Sequence, residues 1–259
     1  MNAYWITLSA VLGLMIGSFM NAVIYRLPRK ITLGLSRSRC PHCDQQINAW
    51  DNIPLASFLI LRGRCRACRG PIHWRYPLVE ALNAGLYVWL YFLLGPTWQW
   101  AMTCALGSAL LAIIFIDIEH YIIPDAITLP GLVIGLAYSL TPEGIGVTSA
   151  LLGALAGGGG LYLVAALGDL LFKKESMGGG DIKMAAMLGA FVGWQKILVV
   201  FIGSALLGTV VSALILPFSK SFRTTRMLPF GPFLALAGLI AALYGDQLIG
   251  AYLALALGR

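Results

Sequence analysis

Long apolar runs without charged residues alternate with short polar segments along most of the chain. Eight of these runs come near the ~20 residues that a helix needs to cross the hydrocarbon core of a bilayer. The pattern therefore predicts an all-α fold, a polytopic membrane helix bundle of about eight transmembrane helices. The predicted spans cover residues 4–25, 78–95, 98–116, 126–141, 146–168, 182–194, 196–218 and 229–257, of which the sixth is the shortest.

The composition agrees with lipid as the main solvent of this chain. Of 259 residues, 59% are hydrophobic and only 11% are charged, and the mean hydropathy is +0.81. Soluble domains carry about 25% charged residues. The first apolar run has no basic flank before it and is long enough to span, so we expect a retained helix rather than a cleaved signal peptide.

The basic residues lie mostly on one side of the predicted spans. Ten of the 18 Lys and Arg residues fall between Arg26 and Arg75, and 16 of the 18 share one side if the chain crosses eight times. The positive-inside rule then places that side in the cytoplasm and both termini outside. Membrane topology thus accounts for the net charge of +7, and we expect lipid rather than nucleic acid as a partner.

The one polar segment of appreciable length covers residues 26–77 and is rich in Pro, Cys and Arg. It is too short to bury a sizeable core, so a metal ion is the expected support. We therefore divide the chain into a first transmembrane helix (1–25), a zinc-binding cytoplasmic loop (26–77) and a transmembrane core (78–259). No internal repeat is evident.

Four cysteines in this loop form two C-x-x-C pairs, Cys40 with Cys43 and Cys65 with Cys68, with 21 residues between the pairs. Thiolates on two such turns form the tetrahedral site that zinc prefers. Two disulfides are the alternative, which the reducing cytosol disfavours. Four protein ligands leave no open position, so we expect one structural zinc. His42 and His73 are possible substitute ligands. The fifth cysteine, Cys104, lies in an apolar span and is predicted to be a small buried hydrophobic residue.

Two aspartates stand where predicted spans meet the cytoplasmic side. Asp117 follows the third span and Asp181 precedes the sixth, so the predicted topology places both on one face. Ionisable groups at a membrane boundary are costly unless paired or hydrated, which makes an opposed pair a functional candidate. Two close carboxyl groups share a proton, so that one accepts a proton from water while the other donates to a carbonyl. This pattern indicates aspartic protease chemistry without a metal.

Three glycines, Gly178, Gly179 and Gly180, come directly before Asp181. A backbone without side chains lets an extended substrate approach closely and permits unusual φ and ψ angles. A phosphate-binding loop is the weaker interpretation, since no Lys-Ser/Thr follows the glycines and no strand pattern precedes them.

Several segments in the same order resemble the bacterial prepilin peptidases, the type IV leader peptidases of the GxGD intramembrane aspartic protease class. They cover most of the chain. Besides the two cysteine pairs, they are Gly17-Ser-Phe-Met-Asn-Ala-Val-Ile-Tyr-Arg-Leu-Pro28, Asn52-Ile-Pro-Leu-Ala-Ser57, Leu61-Arg-Gly-Arg-Cys-Arg-Ala-Cys68, Arg75-Tyr-Pro-Leu-Val-Glu80, residues 117–125 and Gly178-Gly-Gly-Asp181. Chance does not account for this ordered set.

The resemblance implies an enzyme that cuts the short basic leader from type IV prepilins or type II secretion pseudopilins. It also implies methylation of the new N-terminus with S-adenosylmethionine. Asp117 and Asp181 are then the catalytic residues, and the cysteine loop belongs to the region associated with methylation. The implied location is the bacterial inner membrane, with the active site facing the cytoplasm.

The methyl-donor site is less visible in the sequence. No Rossmann-type G-x-G-x-x-G occurs, so we expect a non-standard pocket beside residues 26–77. Glu80, at the junction of loop and membrane, is a candidate contact for the substrate amine. The candidates for the donor's carboxylate are Arg62, Arg64, Arg66 and Arg75. All four arginines would also serve as positive-inside anchors.

Two other classes of protein stay open on the residues alone. One is a non-catalytic transporter or assembly subunit, in which Asp117, Glu119 and Asp181 conduct ions or anchor helix ends. In that class Asp125, which follows Pro124, would simply cap a helix, and Lys183 would be an interfacial anchor. The other is a methyltransferase that leaves leader cleavage to another protein.

Overall fold

A computed structural model of the chain describes residues 3–34, 38–173, 177–215 and 228–257. Nine α-helices lie in these ranges, and a 3₁₀ turn at Ala49–Asn52 precedes the second. They are α1 (Ala3–Arg26), α2 (Ala56–Ile60), α3 (Arg75–Leu94), α4 (Trp98–His120), α5 (Asp125–Tyr138), α6 (Val147–Phe172), α7 (Gly179–Val192), α8 (Lys196–Ile215) and α9 (Gly231–Leu257). Two isolated antiparallel bridges are the only β pairing in the described residues, so the all-α prediction is confirmed.

Eight of these helices, all except α2, lie at the eight predicted spans. Six of them, α1, α3, α4, α6, α8 and α9, are long and apolar enough to cross a membrane. The other two, α5 and α7, have 14 residues each. At 1.5 Å per residue each is about 21 Å long, shorter than a hydrocarbon core of ~30 Å. That α5 and α7 also cross the bilayer stays a prediction.

The chain forms two compact units, Met1–Ala112 and Ile113–Arg259. In the first unit α1 packs against α3 through two glycines. A Cβ at Gly13 would lie 2.6 Å from Ala84 Cα, and a Cβ at Gly17 would lie 2.8 Å from Glu80 Cα. Such small residues let two membrane helices come close enough for extensive van der Waals contact.

Buried polar side chains also connect the helices of the first unit. Asn83 donates to the Gly13 carbonyl oxygen at 2.8 Å and accepts a 2.9 Å hydrogen bond from Ser108. The Tyr87 hydroxyl lies 3.1 Å from the same Ser108 oxygen. These bonds satisfy polar groups that no water can reach. Cys104 is buried, as predicted.

In the second unit, the short helix α7 packs against α5, α6, α8 and α9. Its closest neighbour is α6, because a Cβ at Gly153 would overlap the backbone of Gly189, and one at Gly157 would overlap that of Ala185. Half of α7 is fully buried, including Met184, Met187 and Leu188. The first turn of α7 is thereby held in a rigid setting, which matters because it carries Asp181.

Candidate active site and metal centre

Asp117 lies in the last turn of α4 and is only 5% exposed. Its Oδ2 atom accepts a 2.9 Å hydrogen bond from the backbone N–H of Gly231, the first residue of α9. The first N–H groups of a helix have no partner inside that helix, so they are available to a carboxylate. Asp117 is therefore held from the start of a helix that lies more than a hundred positions away in the sequence.

Asp181 lies in the first turn of α7, and its N–H donates to the Gly178 carbonyl oxygen at 3.1 Å. Its Oδ2 atom lies close to the backbone of Gly178. Its Oδ1 atom is buried and has no hydrogen-bond partner within the part of the chain that the structure describes. Burial and, next, the charge of Asp117 raise the pKa of Asp181 to about 6, while nearby N–H groups oppose this shift. The two aspartates are thus close enough to interact electrostatically, and their catalytic roles stay a prediction.

Unusual backbone angles were one of the two reasons predicted for the glycines before Asp181, and the structure does not show them. None of Gly178, Gly179 and Gly180 has a positive φ angle, so unusual backbone conformation does not explain them. A Cβ at Gly180 would lie 2.8 Å from Ile123 Cβ, which requires glycine there. A Cβ at Gly179 would meet no described residue within 4 Å. That Gly179 admits a substrate backbone beside Asp181 stays a prediction.

Ile123 and Gly231 are parts of this site that sequence reasoning missed. Ile123 lies between α4 and α5, and its side chain packs close to both Gly180 and Gly231. A Cβ at Gly231 would lie 2.6 Å from Asp117 Oδ2. The available signal was a glycine between two prolines, in Pro229-Phe-Gly-Pro232, immediately before an apolar run. Glycine there indicates a close approach to another group.

The charged residues that follow the two aspartates in the sequence have different surroundings. Lys183 Nζ lies 2.8 and 2.7 Å from the two carboxylate oxygens of Asp125, in an exposed ion pair. The N-cap position of α5 is Pro124, so Asp125 is engaged with Lys183 rather than capping that helix. At the end of α4, His120 Nε2 lies 3.9 Å from Glu119 Oε2, beyond hydrogen-bond distance, and it has no hydrogen-bond partner among the described residues. The ion pair joins the starts of α5 and α7.

The four cysteines of the first unit come together in one cluster. The sulfur atoms of Cys40, Cys43, Cys65 and Cys68 all lie within 4.8 Å of one another. Backbone N–H groups of Cys68 and Ala67 lower the pKa of Cys65 to about 7, which favours the thiolate that binds metals. His42 and His73 are not members of this cluster. The cluster can hold a metal ion with four thiolate ligands.

The two cysteine turns have the same backbone structure, 25 positions apart. The N–H of Cys40 donates to Gln45 O and that of Cys65 to Gly70 O, at 3.0 and 2.8 Å. Positive φ angles follow each pair, 54° at Asp44 and 57° at Arg69. The bridges Arg39 to Gln46 and Arg64 to Pro71 complete the likeness. The loop therefore contains a short structural repeat, although none was evident in the sequence.

Glu80 and the candidate arginines lie in varied surroundings. Glu80 is 8% exposed, and its carboxylate accepts the Leu55 N–H at 2.8 Å and a hydrogen bond from the Ser18 side chain. Arg66 pairs with Asp51 at 2.6 Å. Of the other candidates, Arg62 and Arg64 are exposed and Arg75 is buried. Their assignment to a methyl-donor site stays a prediction.

Comparison with known proteins matches both units. The Bacterial Peptidase A24 N-terminal domain matches residues 11–94, and the Type IV leader peptidase family matches residues 104–213. Three curated relatives carry the name prepilin leader peptidase/N-methyltransferase. The protein of Stutzerimonas stutzeri is 41% identical over 94% of this chain and 92% of its own length. That of Pseudomonas putida is 40% identical over 95% of this chain and 93% of its own length. That of Pseudomonas aeruginosa is 38% identical over 94% of this chain and 91% of its own length.

No solved structure matches the chain. The relatives at about 40% identity span nearly the whole of it, and the resemblance inferred from the ordered segments is thereby confirmed. With six helices suited to crossing a bilayer in its described part, it is a multi-pass membrane protein. The chain belongs to the type IV leader peptidase family.

Proposed function

We propose that this chain is an inner-membrane enzyme that cleaves the leader of type IV prepilins or type II secretion pseudopilins and then methylates the new N-terminus. The observation that carries the peptidase activity is the meeting of Asp117 and Asp181 at one partly dehydrated site. The names of the relatives support both activities. The alternative hypothesis, a non-catalytic subunit, gives no reason for these two carboxyl groups to lie near each other.

The peptidase reaction needs one ionised and one protonated carboxyl group. The ionised aspartate takes a proton from a water molecule, whose oxygen bonds to the scissile carbonyl carbon. The protonated aspartate gives its proton to the carbonyl oxygen. When the tetrahedral intermediate collapses, the C–N bond breaks as the first aspartate protonates the leaving nitrogen and the second takes back a hydroxyl proton. The raised pKa of Asp181 supports a pair that shares one proton near neutral pH.

The position of the site supports access from the cytoplasm and from the bilayer. Asp117 ends one helix and Asp181 begins another, so both lie at helix ends rather than in mid-membrane. By the positive-inside rule, the excess of basic residues along the chain supports a cytoplasmic site with the termini outside. A substrate with a basic leader and an apolar helix would present its cleavage site here, beside the open backbone of Gly179.

The methylation activity belongs, in this proposal, to the first unit. The four-cysteine cluster has the ligand chemistry of a structural zinc site, which would hold residues 38–72 in shape. S-adenosylmethionine is the proposed methyl donor. Glu80 is the proposed contact for the substrate amine, and Arg62, Arg64 and Arg75 are proposed to hold the donor's carboxylate. The predicted division at residues 26–77 is retained as part of this proposal.

Mass spectrometry of a leader-bearing prepilin incubated with the purified protein tests both activities. Wild type should remove the leader without a methyl donor and add one methyl group, about 14 Da, only when S-adenosylmethionine is present. Asp117→Asn and Asp181→Asn should each abolish cleavage while the protein stays folded. Asp246→Asn is the matched control, since Asp246 is exposed and pairs with Lys196.

Each rival class gives a different result in this assay. Efficient cleavage by either aspartate variant would rule out the catalytic pair. Methylation of a pre-cleaved pilin without any cleavage by wild type would indicate a methyltransferase alone. Neither activity on a proven substrate would favour the non-catalytic subunit.

A further inference from the structure

Gly231 takes part in the active site through its backbone alone. Its N–H lies 2.9 Å from Asp117 Oδ2, and both groups are buried. A side chain at this position would collide with the Asp117 carboxylate, because a Cβ would lie 2.6 Å from Oδ2 and 3.2 Å from Cγ. Gly231 also starts α9, where N–H groups point out of the helix towards negative charge. The Gly231 N–H therefore favours the ionised form of Asp117 and opposes the effect of burial, which disfavours that form.

The two carboxyl groups have unequal surroundings. Asp117 accepts a well-formed hydrogen bond from a helix N-terminus, and such a bond favours the ionised form of a carboxyl group. Backbone N–H groups of Gly178 and Asp181 also act on the Asp181 carboxylate, but its buried Oδ1 atom has no hydrogen-bond partner among the described residues. An ionised oxygen in that position lacks a donor, whereas a protonated oxygen has an O–H group to offer to a substrate carbonyl. This difference distinguishes the roles of the two residues.

We propose that Gly231 is a positioning residue that keeps Asp117 ionised, so that Asp117 is the base and Asp181 is the acid of the peptidase reaction. The proposal rests on the peptidase function proposed above and assigns its two roles. Asp117 accepts a proton from the attacking water while the Asp181 proton passes to the carbonyl oxygen. On collapse, Asp117 gives its proton to the leaving nitrogen, and Asp181 recovers one from the intermediate's hydroxyl group.

The other charged groups on the packed elements are the same in wild type and in every variant tested below. From α7, Asp181 interacts directly with Asp117. Lys183 and Asp125, from the starts of α7 and α5, pair with each other. Glu119 and His120 are neighbours on α4 itself, and Lys196 of α8 pairs with Asp246 of α9. His120 Nε2 has no hydrogen-bond partner among the described residues, but His120 is present in both esters. A change in the pH profile that only the Gly231 ester shows would therefore report on the aspartate pair.

The direct test removes the Gly231 N–H without adding a side chain at this position. Cell-free synthesis of the full chain with 2-hydroxyacetic acid at position 231 replaces that amide with an ester. The matched control is an ester at Phe233, whose N–H donates to Phe230 O in the same turn at 3.1 Å. Leu234 donates to the same oxygen, so the control leaves that acceptor partnered.

The ester at Gly231 should lower the kcat of leader cleavage about tenfold to hundredfold, as expected for a lost hydrogen bond to a charged group. KM should stay unchanged, and the acid limb of the kcat/KM profile should move to higher pH, because Asp117 then ionises less readily. The Phe233 ester should match wild type. Equal kcat and equal pH profiles for the two esters would overturn the proposal.

A pair of alanine variants covers the case in which the ester chain does not fold. Gly231→Ala places a Cβ 2.6 Å from Asp117 Oδ2. Gly238 belongs to the same helix as Gly231, and Gly238→Ala places a Cβ equally close, 2.6 Å, to Leu188 Cδ2 of α7. Only Gly231→Ala should lower kcat strongly while retaining KM, and equal losses in the two variants would overturn the proposal. A wild type that cuts no leader would instead refute the peptidase function itself, which separates the two failures.

Discussion

Cys40 Sγ lies 3.9 Å from Cys68 Sγ, although the two cysteines belong to different turns of the loop, 28 positions apart. Tetrahedral zinc with Zn–S bonds of about 2.3 Å requires sulfur separations of about 3.8 Å. The pair therefore already has the spacing of two ligands on one ion. This agreement is the physical basis for the proposed zinc.

Removing a cysteine ligand should remove the metal. We expect Cys40→Ser and Cys65→Ser each to lose about one zinc per chain in elemental analysis, since the site needs all four ligands. Methylation should fall with the metal, and leader cleavage should persist because the aspartates lie in the other unit. Cys104→Ser, which changes a buried cysteine outside the cluster, is the control. Unchanged metal content in the ligand variants would contradict the zinc assignment.

The raised pKa of Asp181 predicts a pH-dependent cost to stability. The folded protein binds this proton up to about pH 6, whereas the unfolded chain releases it near pH 4. The folded state is therefore progressively destabilised as pH rises through this window, by at most about 3 kcal/mol. Asp181→Asn removes the titration, so its melting temperature should exceed that of wild type more at pH 7 than at pH 4.

Thermal unfolding in detergent at several pH values measures this difference. Asp246→Asn serves as the control, because its carboxylate is exposed and distant along the chain from Asp181. A Tm difference between Asp181→Asn and wild type that stays constant with pH would show that Asp181 is not a destabilised carboxylate.

Neighbouring glycines of α6 should differ sharply in their tolerance of a methyl group. A Cβ at Gly157 would overlap the backbone of Ala185 in α7, whereas one at Gly159 would meet nothing within 4 Å. We expect Gly157→Ala to destabilise the protein by about 1–3 kcal/mol, since backbone cannot move as a side-chain tip can. Gly159→Ala should be neutral or slightly stabilising, because alanine is the better helix former. Similar Tm values for the two variants would contradict the close α6–α7 packing.

Glu80→Gln should separate a chemical role of Glu80 from a structural one. The amide retains an oxygen that can accept the Leu55 N–H and the Ser18 hydrogen bond, but it has no charge to attract a protonated amine. We expect methylation of a pre-cleaved pilin to fall at least ~10-fold, while leader cleavage by the same preparation stays within about twofold of wild type. Normal methylation by Glu80→Gln would show that Glu80 has a structural role only, as the acceptor for the Leu55 N–H.

Several features of this protein depend on short stretches of sequence, and these were predicted correctly. Each of the eight helices at the predicted spans follows from an apolar run, because lipid exposure and burial both require apolar side chains along one segment. The cysteine cluster follows from two C-x-x-C turns, whose geometry places paired thiolates together. Asp117 and Asp181 were found through ordered motifs, and their catalytic roles stay a prediction.

Other features depend on packing between distant segments, and only the tertiary structure decided them. Asp125 pairs with Lys183 instead of capping α5, and Gly180 is required by Ile123 rather than by its own backbone angles. The Gly231 donor reaches Asp117 across 114 positions. Apolar runs and C-x-x-C pairs are patterns of residues close together in the chain. The sequence by itself therefore predicts the helices and the clustered cysteine thiolates. The partner of a buried carboxylate depends on how α4, α7 and α9 pack, which local patterns do not encode.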